Sequence, residues 1–288
     1  MLLKSEEKDE EEKDDEFSEV KASFLLLMKW LYQQDEIDPS MMKADEVKKF
    51  IEKTAEVLNK GIDEVLKETK LDDISIQRLK ESNYVFSGIK TFHEMNEAFP
   101  SMLDDNGDLI PFEQFLKSVK SINETYNGTY LKTEYNFARR SAIMADKWQG
   151  FMNLDPERYM LQYRTSADER VRKAHRPLHD ITLPITSHFW DLYFPPNGWG
   201  CRCNVVPVRK GKYTQTDEKY AMDCGNQATT GKYEEMFRFN PGKRMTCFPA
   251  YNAYTIQNCE KCKDNGYLNL AAKGANNELC AVCKIVRK

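Results

Sequence analysis

Apolar residues along the first half of the chain recur at steps of three and four. Phe17, Val20, Phe24, Leu27, Met28 and Leu31 form one such stripe, which predicts an amphipathic helix. Asp38-Pro39 has the pattern of an N-cap followed by proline at the first helical position. Behind it Val47, Phe50, Ile51, Val57, Leu58, Ile62, Val65 and Leu66 mark one or two further helices. Residues 88–103 read as helical again, and Asp105-Asn106-Gly107 reads as a turn. The clearest helix runs from about Pro111 to Met152, through Phe115, Val119, Ile122, Tyr126, Tyr130, Tyr135, Ala138, Ala142, Ala145 and Trp148, with Gly128 placed to break or bend it.

The pattern changes at Asp155-Pro156. From Tyr159 to Val208 come short apolar pairs, β-branched residues and the prolines Pro177, Pro184, Pro195, Pro196 and Pro207, which predict short strands and ordered loops. The expected architecture is α+β. An acidic, solvated tail over 1–16 precedes a helical region over 17–155, an α+β domain with short strands over 156–250, and a small cysteine-rich module over 251–288. The Trp148 helix and the Phe17–Leu31 helix are candidate docking faces, although aromatic stripes of this kind more often form core.

Composition changes this picture little. With 41% hydrophobic residues among 288, the chain can bury a core. Lys+Arg (42) and Asp+Glu (46) nearly cancel, so any contact with DNA must use a local basic patch. Nothing approaches the roughly 18 consecutive apolar residues of a membrane span, and Met1-Leu2-Leu3-Lys4 before an acidic run is the wrong order for a signal peptide. The expected compartment is a cytoplasm. There the eight cysteines stay reduced and act as metal ligands or core residues.

Cys259-x-x-Cys262 followed by Cys280-x-x-Cys283 can place four thiolates around one structural zinc, each pair on its own turn. Such a closed site leaves no position for catalysis. Asp104-Asp105-Asn106-Gly107-Asp108 begins like a calcium-binding loop, but glycine falls at position 4 and position 12 is Phe115, so a turn between helices is the better reading.

The centre reads Tyr163-Arg164-Thr165, then Asp168-Glu169-Arg170-Val171-Arg172 with His175 following. Phe189-Trp190-Asp191 comes next, then Pro195-Pro196-Asn197-Gly198-Trp199-Gly200-Cys201-Arg202-Cys203. These motifs, in this order, resemble the Phage Mu F-like head-morphogenesis family of minor head proteins. The preceding helices and the run Phe237-Arg238-Phe239-Asn240-Pro241-Gly242 also resemble Mu F-like proteins of prophages. The resemblance implies a structural, non-enzymatic component of a phage or prophage head, found in the virion and, during assembly, in the host cytoplasm. Its implied partners are the portal protein and capsid, with roles in head morphogenesis and in DNA packaging or ejection, and it implies neither a membrane nor a small-molecule substrate. Some relatives carry fused toxin domains, often nucleases, and none is expected here.

The prolines and Asn197-Gly198, a turn tolerant of positive φ, should brace a platform filled by Phe189, Trp190 and Trp199. Cys201 and Cys203 would face one side if they lay on a strand. With His175 and either His188 or His179 they could form a second zinc site, or they could be buried thiols beside a core histidine. In the family the motif histidine is commonly followed by Leu-Asp-Gly. Here the residues are Leu178-His179-Asp180, a departure that bears on the local turn. Arg164, Arg170, Arg172, Lys173, Arg176 and Arg202 are candidates for DNA phosphate contact, or for internal pairing with Asp168, Glu169, Asp180 and Asp191. Two other functions compete with a structural head protein. One is a phage-delivered toxin or nuclease effector, which would need a catalytic histidine in a cleft. The other is a zinc-dependent nucleic-acid-binding adaptor built on the basic C-terminal cysteine module.

Overall fold

The computed structural model describes residues 2–69, 71–166, 168–231, 233–250, 252–255 and 278–287, with side chains from 17 onward and, in the last helix, from 281. The helices are α1 (Leu2–Leu31), α2 (Asp45–Val65), α3 (Asp73–Ala98), α4 (Phe112–Ser118), α5 (Lys120–Glu124), α6 (Leu131–Met152), α7 (Phe189–Leu192), α8 (Glu218–Ala228), α9 (Pro241–Arg244) and α10 (Glu278–Val286). The strands are β1 (Tyr159–Arg164), β2 (Thr182–Leu183) and β3 (Asn204–Arg209). Two compact units result. One comprises residues 1–60, 83–135 and 257–288, the other 61–82 and 136–256.

In the first unit, the stripe expected from the sequence is internal. Phe17, Val20, Phe24, Leu27, Met28 and Leu31 are all buried, and the Phe24 ring meets Phe50 edge-on at 5.9 Å. This stripe is therefore core, while Leu25 and Leu26 on the same helix are exposed. α1 also reaches back to Leu2, so the acidic run expected as a tail is continuous with the helix. Asp38 caps a 3-10 turn over Pro39–Lys43, its carboxylate accepting from the Ser40 N–H at 2.6 Å, and hydrogen bonds from the Ser40 side chain and then its backbone lower the Asp38 pKa.

The decoy calcium loop is a tight hairpin. Asp104 Oδ1 accepts from Asn106 and Asp108, and Gly107 takes φ +85°. The long helix expected over 111–152 is interrupted at Val119 and then by a π-helical segment, Thr125–Tyr130, that contains Gly128. Against this segment lies a buried polar group that the periodicity did not reveal. Lys90 pairs with Glu134 and donates to the Tyr126 carbonyl oxygen, and Glu94 accepts from Asn127.

The longer stretch of the second unit starts inside α6, well before the change in pattern at Asp155-Pro156. Met144, Trp148 and Phe151 from that helix join Leu161, Phe189, Trp190 and Phe194 in one core, so Trp148 too is core and not a docking surface. The strands form an antiparallel sheet in the order β2-β1-β3. Leu161 lies opposite Leu183 on one side and Pro207 on the other. β1 is buried along Met160-Leu161-Gln162-Tyr163, as a central strand covered on both faces should be. Asn240 Oδ1 accepts from Gly242 and Lys243, and its amide donates to the Trp190 carbonyl oxygen, tying the Asn-Pro-Gly run to the Phe-Trp-Asp motif.

Candidate functional site

The central motifs converge on three side chains. His175 sits in a 3-10 turn, Lys173–Leu178, its N–H donating to the Arg172 carbonyl oxygen while Leu178 anchors the turn in the core. Cys201 closes a turn on Gly198, with Gly200 at φ +64°, and Cys203 immediately precedes β3. The positive φ therefore falls at Gly200 and not at Asn197-Gly198, and neither cysteine lies on a strand. Even so, both sulfurs face the same imidazole. His175 Nδ1 is 3.9 Å from Cys201 Sγ and 3.8 Å from Cys203 Sγ, and the three ligand atoms lie within 4.8 Å of one another. The residues are 2%, 6% and 3% exposed.

The two histidines offered as a fourth ligand go elsewhere. His188 is exposed and pairs with Asp191 at 2.8 Å. His179 Nδ1 accepts from the Thr165 N–H at 3.1 Å. The Leu-His-Asp departure keeps a turn rather than losing it. Asp180 takes φ +66°, a left-handed conformation that Asp tolerates better than most residues, and its N–H donates to the Tyr163 carbonyl oxygen.

Three further groups surround the cluster, and sequence reasoning gave none of them this role. Tyr163 is fully buried and donates to Asn197 Oδ1 at 2.9 Å, and burial, reinforced by the adjacent thiols, pushes its phenol well up. Asn197, itself buried, accepts from that phenol and donates to the Phe237 carbonyl oxygen. Arg140 from α6 donates to the Cys203 carbonyl oxygen, and burial lowers its pKa while both thiols raise it. Arg140 lies on the apolar side of a helix beside another arginine, a placement that periodicity scores as noise.

The thiols act as a unit. The hydrogen bond from Cys203 holds the Cys201 thiol far below its ordinary range. That same bond, then burial, pushes Cys203 up, because a second thiolate would form beside the first without solvent.

The basic cluster divides in two. Arg202 holds Asp168 through both carboxylate oxygens, at 2.5 and 2.6 Å, and Arg164 holds Asp180 at 2.8 Å. Arg172 donates to the Trp199 carbonyl oxygen at 2.5 Å. These three brace loops. Arg170, Lys173 and Arg176 are exposed and make no ion pair among the described residues. Of the four C-terminal cysteines, Cys283 is buried on α10, while Cys259, Cys262 and the Cys280 side chain lie outside the described residues.

Chemically, the arrangement suits soft-metal ligation or thiol pairing.

Comparison with known proteins gives a concordant picture. Residues 107–206 match the family model described as Phage Mu protein F like protein. Over 118 residues, 38% of this chain, it is 37% identical to protein F of Escherichia phage Mu, whose name assigns it to capsid assembly. Over 77 residues, 27% of the chain, it is 34% identical to the Mu-like prophage FluMu F protein of Haemophilus influenzae. An uncharacterised protein of Methanocaldococcus jannaschii is 30% identical over 105 residues, 34% of the chain. The matched stretches cover 26%, 18% and 15% of those proteins, respectively. No solved structure matches.

Proposed function

From the premise that this chain carries a Phage Mu protein F-like region over residues 107–206, we propose that it is a minor structural protein of a phage or prophage head. In this reading it associates with the portal vertex and acts in head morphogenesis and in DNA packaging or ejection. The observation that carries this reading is that residues 136–206 of the matched segment lie in the second unit, where its motif side chains pack into one core. Phe189, Trp190, Tyr193 and Phe194 are essentially inaccessible, and the histidine and cysteines of the motif lie beneath the surface rather than in a cleft. Such a region presents a fixed shape to partners, as assembly requires, whereas a toxin or nuclease reading would have to rest on His188, the exposed histidine paired with Asp191. No helix among the described residues is long and apolar enough to cross a membrane.

Two finer elements belong to the same proposal. The exposed Arg170, Lys173 and Arg176 contact packaged DNA through phosphates, whereas Arg164, Arg172 and Arg202 hold the loops that present them. Cys259, Cys262, Cys280 and Cys283 hold a structural zinc, a reading supported by the paired spacing, with Cys280 and Cys283 lying on the helix α10 and not on a turn of their own as expected.

Sedimentation with purified portal protein at physiological salt tests the portal assignment. Co-migration at a fixed stoichiometry is expected. A protein that stays at the top of the gradient, coupled with measurable nuclease activity, would overturn the reading in favour of an effector.

A further inference from the structure

We propose that His175, Cys201 and Cys203 bind a thiophilic divalent cation of the zinc class inside the platform, as a fastener between two loops. Geometry carries the inference. Zinc bonds of about 2.3 Å to sulfur and about 2.0 Å to nitrogen, arranged tetrahedrally, separate the donor atoms by roughly 3.6 Å. The observed nitrogen–sulfur separations are 3.8 and 3.9 Å. Both thiols therefore already stand close to ligand spacing around Nδ1 of one imidazole.

The chemistry of the shell agrees. Two thiolates neutralise a divalent cation, which removes the main obstacle to burying one. Arg140 donates to the Cys203 carbonyl oxygen and so fixes the loop that carries both thiols. Among the described residues no fourth His, Cys, Asp or Glu completes a group within 4.8 Å, so the protein ligands are His175, Cys201 and Cys203. The ligands come from the 173–178 turn and from the segment leading into β3, more than twenty residues apart in sequence. A bound ion would thus lock the motif histidine's loop to the sheet, where the unmetallated protein has two weak sulfur contacts.

This goes beyond the head-assembly reading and does not depend on it. It is also separate from the four-cysteine site, and the test keeps all three apart. Metal content is measured by elemental analysis on the full chain purified under reducing conditions, as wild type, C201S/C203S and C259S/C262S. The C201S/C203S protein should hold one equivalent less zinc than wild type, and C259S/C262S should retain that equivalent. Because the C201S/C203S protein could misfold, cobalt(II) is also titrated into chelator-stripped C259S/C262S protein. A sulfur-to-cobalt charge-transfer band saturating at one equivalent, with an intensity appropriate to two thiolates, is expected. Equal zinc in wild type and C201S/C203S, or no such band, would overturn the proposal. So would a Cys201–Cys203 disulfide found by peptide mapping of freshly purified protein, since that would make the pair a redox element instead. Failure to co-migrate with portal while the metal is still present would sink the head reading alone.

Discussion

Lys90 Nζ lies 2.6 Å from Glu134 Oε2, and neither side chain is more than 3% exposed. The two residues are 44 apart in sequence and meet where the π-helical segment turns its Tyr126 carbonyl oxygen toward the same ammonium. Removing one partner strands the other charge in a dry interior, which typically costs about 3–5 kcal/mol, whereas replacing both with apolar residues is often neutral. Lys90→Met should therefore be strongly destabilised in urea melts, and Lys90→Met/Glu134→Leu should recover most of the deficit. A single variant as stable as wild type would show that the pair is solvated in solution.

Glu94 stands beside that pair with one oxygen accepting from Asn127 and the other without a partner. Burial raises its pKa from the usual 4.5 to about 8, against the lowering effect of Lys90. A carboxyl raised on folding contributes stability that is complete below about pH 4.5 and is lost as pH rises through about 8. Wild type should lose stability relative to Glu94→Gln as pH is taken from 5 to 8.5, read as a widening Tm gap. A gap independent of pH would mean that Glu94 is ionised throughout.

The Asn-Pro-Gly run brings Gly242 against α6 so closely that an added Cβ would stand 2.3 Å from the Trp148 Cβ. Trp148 is locked in the core and cannot retreat. Gly242→Ala should cost about 1–3 kcal/mol through overpacking, or roughly 2–4 °C in Tm per kcal/mol. An unchanged Tm would show that this contact relaxes freely.

Much of this was legible beforehand, and the reasons are local. The α1 stripe, the Asp38 cap and the Asp105-Asn106-Gly107 turn depend on neighbours within four residues, so sequence spacing carries them. The short strands and the convergence of His175 with Cys201 and Cys203 were likewise suggested by motif order. What spacing could not supply was long-range choice. It offered His188 and His179 as equals, and only the fold shows them committed to Asp191 and Thr165. It read amphipathic stripes as possible docking faces because a stripe does not say what already covers it. Lys90, Glu94 and Glu134 sit in ordinary-looking helices, and Arg140 is one of two adjacent arginines, so nothing local marks them as buried.

The exposed cations provide a separate check on the DNA element. The triple variant R170A/K173A/R176A should fold normally, since such surface changes usually stay within about 0.5 kcal/mol. Its affinity for duplex DNA of any sequence should fall, with the log–log salt slope reduced by about 0.9 for every phosphate that is no longer neutralised. Unchanged affinity and slope would remove DNA contact from these residues.

Head particles offer the most direct test of the whole account. They would be purified by density gradient from cells producing the phage, with the gene intact or deleted, and their proteins quantified by mass spectrometry. The account predicts this protein in the particles at a small fixed copy number relative to the portal, and few or no DNA-filled heads when it is missing. Full, normally packaged heads formed without it, with the protein remaining free in the lysate, would contradict the account.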